Sequence, residues 1–229
     1  MVKGVCDLKS CFLCRLCLKD WLPAIAANKQ NLEIKKGQQL FKEGDNVTGI
    51  YFIYSGIVKV HKRWGTEKDL IVRFARQGDV VGQMGLGDDA VYPVSATAIE
   101  TTIVCFIEMV FFDSTINVNN GFTRGLMATL ANQLQESEKR MRNLVHMPVK
   151  GRVAQALITL KNQFGLTANG YINIELTRQD LASFTGAVYE SLFRVMNDFV
   201  ETKMISVIGK NILITDEKGL IKLTEEIDL

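Results

Sequence analysis

Histidine and proline are scarce in this chain, with two and three residues in 229. With so little imidazole, no Ser/His/Asp grouping and no phosphate-binding glycine loop, the sequence offers no catalytic constellation, and an enzyme is not expected. No apolar run approaches the roughly 20 residues that span a bilayer, so no membrane partner is expected. The opening MVKGVCDLKSCFLCRLCLKDW has no uninterrupted apolar stretch and no small-residue cleavage site, which argues against a secretory signal. A surplus of one charge is also missing. Lys and Arg number 27 against 25 Asp and Glu, a formal net charge of +2, so any case for nucleic acid must rest on placement rather than total charge.

Cysteine is present in an odd number, five, with Cys6, Cys11, Cys14 and Cys17 crowded near the start. Crowded thiols in a chain without an export signal point to metal or redox chemistry in a reducing compartment rather than a disulfide framework. The expected location is cytoplasmic.

From Leu32 to about Val110 the chain reads as short strands. Ile50-Tyr51-Phe52-Ile53-Tyr54 runs into Ser55-Gly56, Leu70-Ile71-Val72-Arg73-Phe74 ends at Gln77-Gly78-Asp79, and Val80-Val81 ends at Gly82. β-branched and aromatic runs bounded by glycine predict a small antiparallel barrel or roll. In Val58-Lys59-Val60-His61 the alternation puts His61 on the outward phase, so it reads as a surface residue. Tyr171, Ile172 and Ile174 read as a further short strand.

From Asn120 to His146 the pattern is helical. Met127, Leu130, Leu134, Ser137, Met141 and Leu144 are spaced 3, 4, 3, 4, 3, a seam over nearly three heptads that suits the same helix of a second subunit. A helix packed on its own roll is the alternative. Pro148 then breaks the chain direction, and Val149–Phe164 presents Val153, Ala156, Leu157 and Leu160 on one face before Gly165.

Thr177 is a good cap for a helix containing Gln179 and Asp180 that stops at Thr185-Gly186, and a second helix runs from about Val188 to Lys203. Two helices around a glycine turn fit a helix-turn-helix. Met204–Ile208, Gly209-Lys210-Asn211 and Ile212–Ile214 follow as a hairpin, the wing. Leu192, Val195, Met196 and Phe199 form the inward stripe, leaving Tyr189, Glu190, Ser191, Phe193 and Arg194 near the start of the second helix. Arg forks onto guanine O6 and N7, and Glu accepts from cytosine N4. Glu190 and Arg194, four apart, share one face and are expected to read bases, with Thr177, Gln179, Tyr189, Ser191, Phe193 and Lys210 as the other expected DNA-binding residues. A plain surface ion pair is the other reading. Val188 stands where a capping oxygen is usual.

Taken together, Lys36-Gly37 through Phe41-Lys42-Glu43-Gly44-Asp45, Tyr51 to Gly56, Gln77-Gly78-Asp79 to Gly82, and the Glu190-to-Arg194 block with Gly209-Lys210 resemble the Crp/Fnr family of bacterial regulators over nearly the whole length. The resemblance implies an α+β chain. It would have a jelly-roll-like antiparallel β-roll of the cyclic-nucleotide-binding type, a long dimerisation helix and a C-terminal winged helix-turn-helix. It further implies a homodimer on inverted-repeat double-stranded DNA, with RNA polymerase as a partner and either activation or repression as the outcome. The corresponding divisions are 1–24 for a Cys-rich arm, 25–118 for the roll, 119–147 for the dimer helix and 148–229 for the DNA-binding domain.

Two departures from the cyclic-AMP receptor branch matter. Where that branch has a ribose-binding Glu and a phosphate-binding Arg, this chain has Gln83 and Val94, and Gly82 to Thr97 contains no Lys or Arg but does contain Asp88 and Asp89. A phosphate there lacks a charge-assisted partner, so cyclic AMP is not expected. An effector of another kind is assigned to Gly82, Gln83, Met84, Val94 and Ser95. Thr101–Cys105 resembles the segment carrying the internal cluster cysteine of the oxygen-sensing Fnr branch, which makes Cys11, Cys14, Cys17 and Cys105 a candidate set for a [4Fe–4S] cluster or zinc. The Cys11–Cys17 spacing is tighter than the Fnr pattern, Cys6 is an additional candidate, and a metal-free thiol group is the third reading. Haem on His61 or His146 is a minor one. The expected function is an effector- or redox-controlled transcriptional regulator; a ligand-sensing module that uses the roll without DNA is the alternative.

Overall fold

The structure, a computed structural model, describes residues 11–65 and 68–225. It divides into two compact units, one ending at Gln135 and the other beginning at Glu136. The first unit holds β1 (Lys29–Ile34), β2 (Gln39–Phe41), β3 (Gly49–Ser55), β4 (Val58–Trp64), β5 (Lys68–Ala75), β6 (Val80–Val81), β7 (Ser95–Ala98) and β8 (Thr102–Glu108). They pair into two four-stranded antiparallel sheets, β1-β8-β3-β6 and β2-β7-β4-β5. This is the expected roll.

The first sheet is buried on both faces, which explains why β3 reads as an unbroken apolar run rather than an alternating one. Tyr51, Ile53, Val81, Val104 and Phe106 face the roll's interior. Their neighbours Ile50, Phe52, Val80, Cys105 and Ile107 belong to a second core on the opposite face. Short helices cover that second face: α1 (Phe12–Leu16), α2 (Leu22–Asn28), α3 (Met109–Val118) and the first turns of α4 (Asn120–His146). Leu13, Ile25, Phe112 and Phe122 anchor them there. Gly56 turns the chain from β3 to β4 at φ +89°, where a Cβ would lie 2.5 Å from Thr102 Oγ1 and 2.7 Å from its Cα. Only glycine fits such a left-handed corner without strain.

One expectation for the roll is corrected. His61 is buried, with Nε2 2.9 Å from Thr97 Oγ1. The β-bulge lies on β5, where the pairing steps from Arg73 to Ile71 as β4 steps from Val60 to His61. Along β4 the alternation holds: Val60 lies opposite Ala96 and faces the core, while His61 lies opposite Ser95 on the outward phase, where it is nonetheless covered.

The second unit contains the last turns of α4, then α5 (Val149–Phe164), α6 (Arg178–Thr185), α7 (Tyr189–Glu201), the hairpin β9 (Ile205–Ile208) and β10 (Asn211–Ile214), and α8 (Glu217–Lys222). Its interior includes Val153, Leu157 and Leu160 of α5, Leu181 of α6, and Leu192, Met196 and Phe199 of α7. The long helix and the C-terminal winged helix-turn-helix are those anticipated. The strand expected at Tyr171–Ile174 is instead two isolated bridges, Leu166 with Ile172 and Tyr171 with Leu213.

Candidate nucleic-acid interface

The helix-turn-helix is built on local capping chemistry. Thr177 Oγ1 accepts the Asp180 N–H at 3.0 Å and donates to Asp180 Oδ2 at 2.6 Å, starting α6. Gly186, with φ 63° and ψ 32°, ends it in the left-handed conformation while its N–H bonds back into the helix. Val188 begins α7 with no side-chain cap.

Two arginines hold this turn by its carbonyls. Arg152 of α5 donates from Nε to Thr185 O at 3.1 Å and from Nη2 to Gly186 O at 3.3 Å. Its Nη1 reaches Leu144 O and Met147 O, at 3.1 and 3.3 Å, where α4 ends. Arg140, on α4, donates to Phe184 O and lies 4.9 Å from the centre of the Phe184 ring. Burial lowers the pKa of both guanidiniums, that of Arg140 to about 10, and Arg140 remains charged at neutral pH. The end of α4 and the turn before α7 are therefore tied through charged donors. These two residues carry no sequence pattern and were not anticipated as parts of the module.

On α7 the apolar residues Leu192, Met196 and Phe199 are buried, while Tyr189, Glu190, Phe193 and Arg194 are exposed. Ser191 is half-buried. The Tyr189 and Phe193 rings stack on each other, centroids 6.4 Å apart and planes 10° from parallel. Beyond α7, Arg178 Nη2 donates to Gly209 O at 3.1 Å and so fixes the wing's tip against α6, next to the exposed Lys210. Gln179 is exposed on α6.

The residues assigned to an effector lie in the first unit. Gly82 adopts φ +94° before a 3-10 turn, and Val94 and Ser95 are buried. Ser95 Oγ accepts the Glu43 N–H at 2.9 Å. Met84 is exposed. Gln83 is 1% exposed, and its Nε2 donates to Gln133 Oε1 of α4 at 2.9 Å. Aromatic rings fill the adjoining roll. Phe41 and Tyr92 stack with centroids 4.1 Å apart, and the Tyr92 hydroxyl donates to Gly49 O at 2.7 Å. Arg73 donates to Val80 O at 2.8 Å, just before Gly82; burial lowers its pKa while nearby Asp79 acts in the other direction.

The thiols form a different neighbourhood. Cys11, Cys14 and Cys105 are buried in the core beneath the outer face of the first sheet, with Cys17 packed against it. Cys6 lies outside the described residues. Burial pushes the Cys17 thiol up to about 12, with the neighbouring Cys11 adding to the rise. Among the described residues no group of three or more His, Cys, Asp or Glu side chains is arranged to hold a metal ion. Thiols gathered in one apolar layer supply the donor chemistry of a thiolate-ligated cluster. Helix α1, which carries Cys14, lies on α4, since a Cβ on Gly125 would strike the Leu16 side chain and one on Gly121 would lie 3.1 Å from Leu16 O. Leu18 N–H also donates to Asn119 Oδ1 at 2.8 Å.

The Met127–Leu144 seam runs along α4. Met127, Leu134, Ser137 and Met141 are exposed, and Leu130 and Leu144 are half-buried. His146 is exposed. No helix among the described residues is long and apolar enough to cross a membrane.

Comparison with known proteins agrees with this architecture. The cyclic nucleotide-binding domain family matches residues 31–119, and the Crp-like helix-turn-helix domain family matches residues 151–223. The anaerobic regulatory protein of Bacillus subtilis is 30% identical over 194 residues, covering 83% of this chain and 78% of its own length. The transcriptional activator protein FnrA of Stutzerimonas stutzeri is 27% identical over 229 residues, covering 94% and 91%. Among solved structures, FixK2 from Bradyrhizobium japonicum shares the fold with a TM-score of 0.77 at 20% identity, over 87% of this chain and 98% of that one. The chain belongs to the Crp/Fnr family and is a DNA-binding transcriptional regulator.

Proposed function

We propose that the protein is a homodimeric, cytoplasmic regulator that reads an inverted-repeat site through Glu190 and Arg194. The observation that carries this is α7 itself: its apolar stripe is buried while Glu190 and Arg194 stand exposed within the first turns, after a tight turn and before a hairpin. An Arg fork and a Glu acceptor on one helix face match guanine and cytosine edges in the major groove. Lys210 at the wing and Gln179 on α6 supply backbone contacts that set register without reading sequence. Ser191 lies beside them. Thr177 contributes through the cap that orients α6. The α4 seam from Met127 to Leu144 pairs with its copy, so that two α7 helices meet half-sites about one helical turn apart. Promoter-bound dimers of this kind would touch RNA polymerase. Selection from a random duplex pool tests the reading: an inverted repeat with a G·C pair in each half-site is expected, and a pool without sequence preference overturns it.

For control, the proposal places sensing in the thiol layer. Cys11, Cys14, Cys17 and Cys105 would hold an iron–sulfur cluster, which when bound supplies sensitivity to oxidants. The chain's own contribution is to keep the thiols away from water and to join them, through α1, to Gly121 and Gly125 of α4. A change in how α1 sits then biases the helix that carries the seam, and the ligand shifts the population by its preference for one arrangement. Zinc on the same thiols is the alternative within this reading. The roll stays open to an effector at Gly82, Gln83, Met84, Val94 and Ser95. Cyclic AMP is left out because Val94 offers its phosphate no charge and Asp88 and Asp89 repel it. Iron, sulfide and visible absorption of anaerobically purified protein decide the matter. Equal DNA affinity with and without iron overturns the cluster reading.

A further inference from the structure

The stacked rings of Tyr189 and Phe193 are an unusual thing to leave in water at the start of α7. Phe193 is 51% exposed and Tyr189 43%, next to Val188 at 62%. An exposed aromatic ring forfeits the burial that normally stabilises it. The two rings hold each other in place, so Phe193 is presented as a fixed apolar edge, with less rotamer freedom to lose on binding.

Position defines the target. At roughly 100° per residue, the buried stripe of Leu192, Met196 and Phe199 faces one way and Glu190 with Arg194 faces nearly the opposite way. Tyr189 and Phe193 form a second short stripe beside the Glu190–Arg194 pair, one residue earlier in each turn. A ligand as broad as a DNA groove, seated on the first turns of α7 at Arg194, reaches the neighbouring Phe193 stripe as well. Two rings bordered by a carboxylate and a guanidinium make too small and too polar a surface for a stable protein interface, which buries about 800 Å² per partner. On base edges in the major groove the available apolar group is the thymine C5-methyl, and phenylalanine is among the side chains that contact it.

We propose that Phe193, backed by Tyr189, selects a thymine in each half-site by contact with its methyl group, adjacent to the base pair read by Arg194. The inference rests on α7 being the base-reading helix.

The test uses the full chain and the duplex it selects from a random pool. Each thymine is replaced singly by deoxyuridine, which removes the methyl and leaves the Watson–Crick edge intact. One thymine per half-site is expected to be sensitive, with affinity falling about fourfold, the value of one methyl-sized group. Phe193→Ala is expected to bind the thymine and uracil duplexes equally, and Phe193→Leu to keep part of the difference. Far-ultraviolet circular dichroism checks that both variants fold, which the ring's exposure favours. Indifference of the unaltered protein to every thymine-to-uracil exchange overturns the proposal, as does a sensitive thymine that stays equally sensitive in Phe193→Ala. A selection that returns no preferred sequence is a different result: it removes the base-reading role of α7, and this inference with it.

Discussion

Helices α4 and α7 both leave large apolar side chains in water, but in different arrangements. On α4, Met127, Leu134 and Met141 are 66%, 61% and 62% exposed and recur every seven residues. On α7 the exposed apolar side chains of the first turns are confined to Val188, Tyr189 and Phe193, with Glu190 and Arg194 between and beside them. A seven-residue repeat sustained for three turns or more matches a partner helix, because supercoiling keeps such a seam in register. A two-ring patch set among charges matches a surface whose apolar feature is equally local. Exposure alone marks neither as an interface; period and neighbours distinguish them. The same α4 supplies an internal control, since Phe122 and Leu126, off the seam, are buried in the first unit's second core.

Placing a charge in the α4 seam is the strongest way to break this comparison. Leu134→Lys puts two ammonium groups into a symmetric apolar contact, a cost on the order of 3 kcal/mol or more. Sedimentation is expected to show a monomer at concentrations where the unaltered chain is a dimer, with operator affinity down by at least about a hundredfold. A dimer of undiminished stability would mean that this stripe is not the subunit contact.

The link from α4 to the turn before α7 comes next in size. Arg152 donates to four carbonyls, those of Leu144, Met147, Thr185 and Gly186. Arg152→Ala leaves them without a charged donor and is expected to lower unfolding stability by about 2 kcal/mol, read from the urea midpoint. An unchanged midpoint would show that water replaces the guanidinium without loss. Arg194→Ala acts on the DNA side of α7 instead. It is expected to cost roughly 1–3 kcal/mol of binding and to relax preference at one base pair per half-site, with stability unaltered. Undiminished preference in a repeated selection would remove Arg194 as a reader.

What was legible in the sequence divides along the same physical line. The roll, α4 and the helix-turn-helix announce themselves through period and through glycines such as Gly56 and Gly186, features a local window contains. Helices α1, α2 and α3 were not anticipated, because they are short and their apolar residues serve a layer whose other half, the outer face of β3 and β8, is distant in sequence. His61 keeps the outward phase that alternation gives it, yet it is buried beside Thr97 and Asp69, contacts between neighbouring strands that a single strand's period does not report. The arginine ties to the turn span 33 to 44 residues from side chain to carbonyl, and backbone acceptors leave no trace in residue identity. The thiols were visible as a set. Their sharing of one apolar layer depends on Cys105 pointing out of the roll while Val104 and Phe106 point in, which the strand's two-residue period implies once both faces are known to be covered.

Thr177 gives the smallest effect and separates a scaffold role from a reading role. Its hydroxyl is occupied within the chain, accepting the Asp180 N–H and donating to the Asp180 carboxylate. Thr177→Ala is expected to lower stability by about 1 kcal/mol, the usual worth of an N-cap. DNA affinity should fall only slightly and by the same factor for every sequence in a mismatch series, because α6 positions the module and Glu190 and Arg194 choose the bases. A base-dependent loss in that series would instead put the Thr177 hydroxyl on the DNA, and the cap seen in the free chain would have to open on binding.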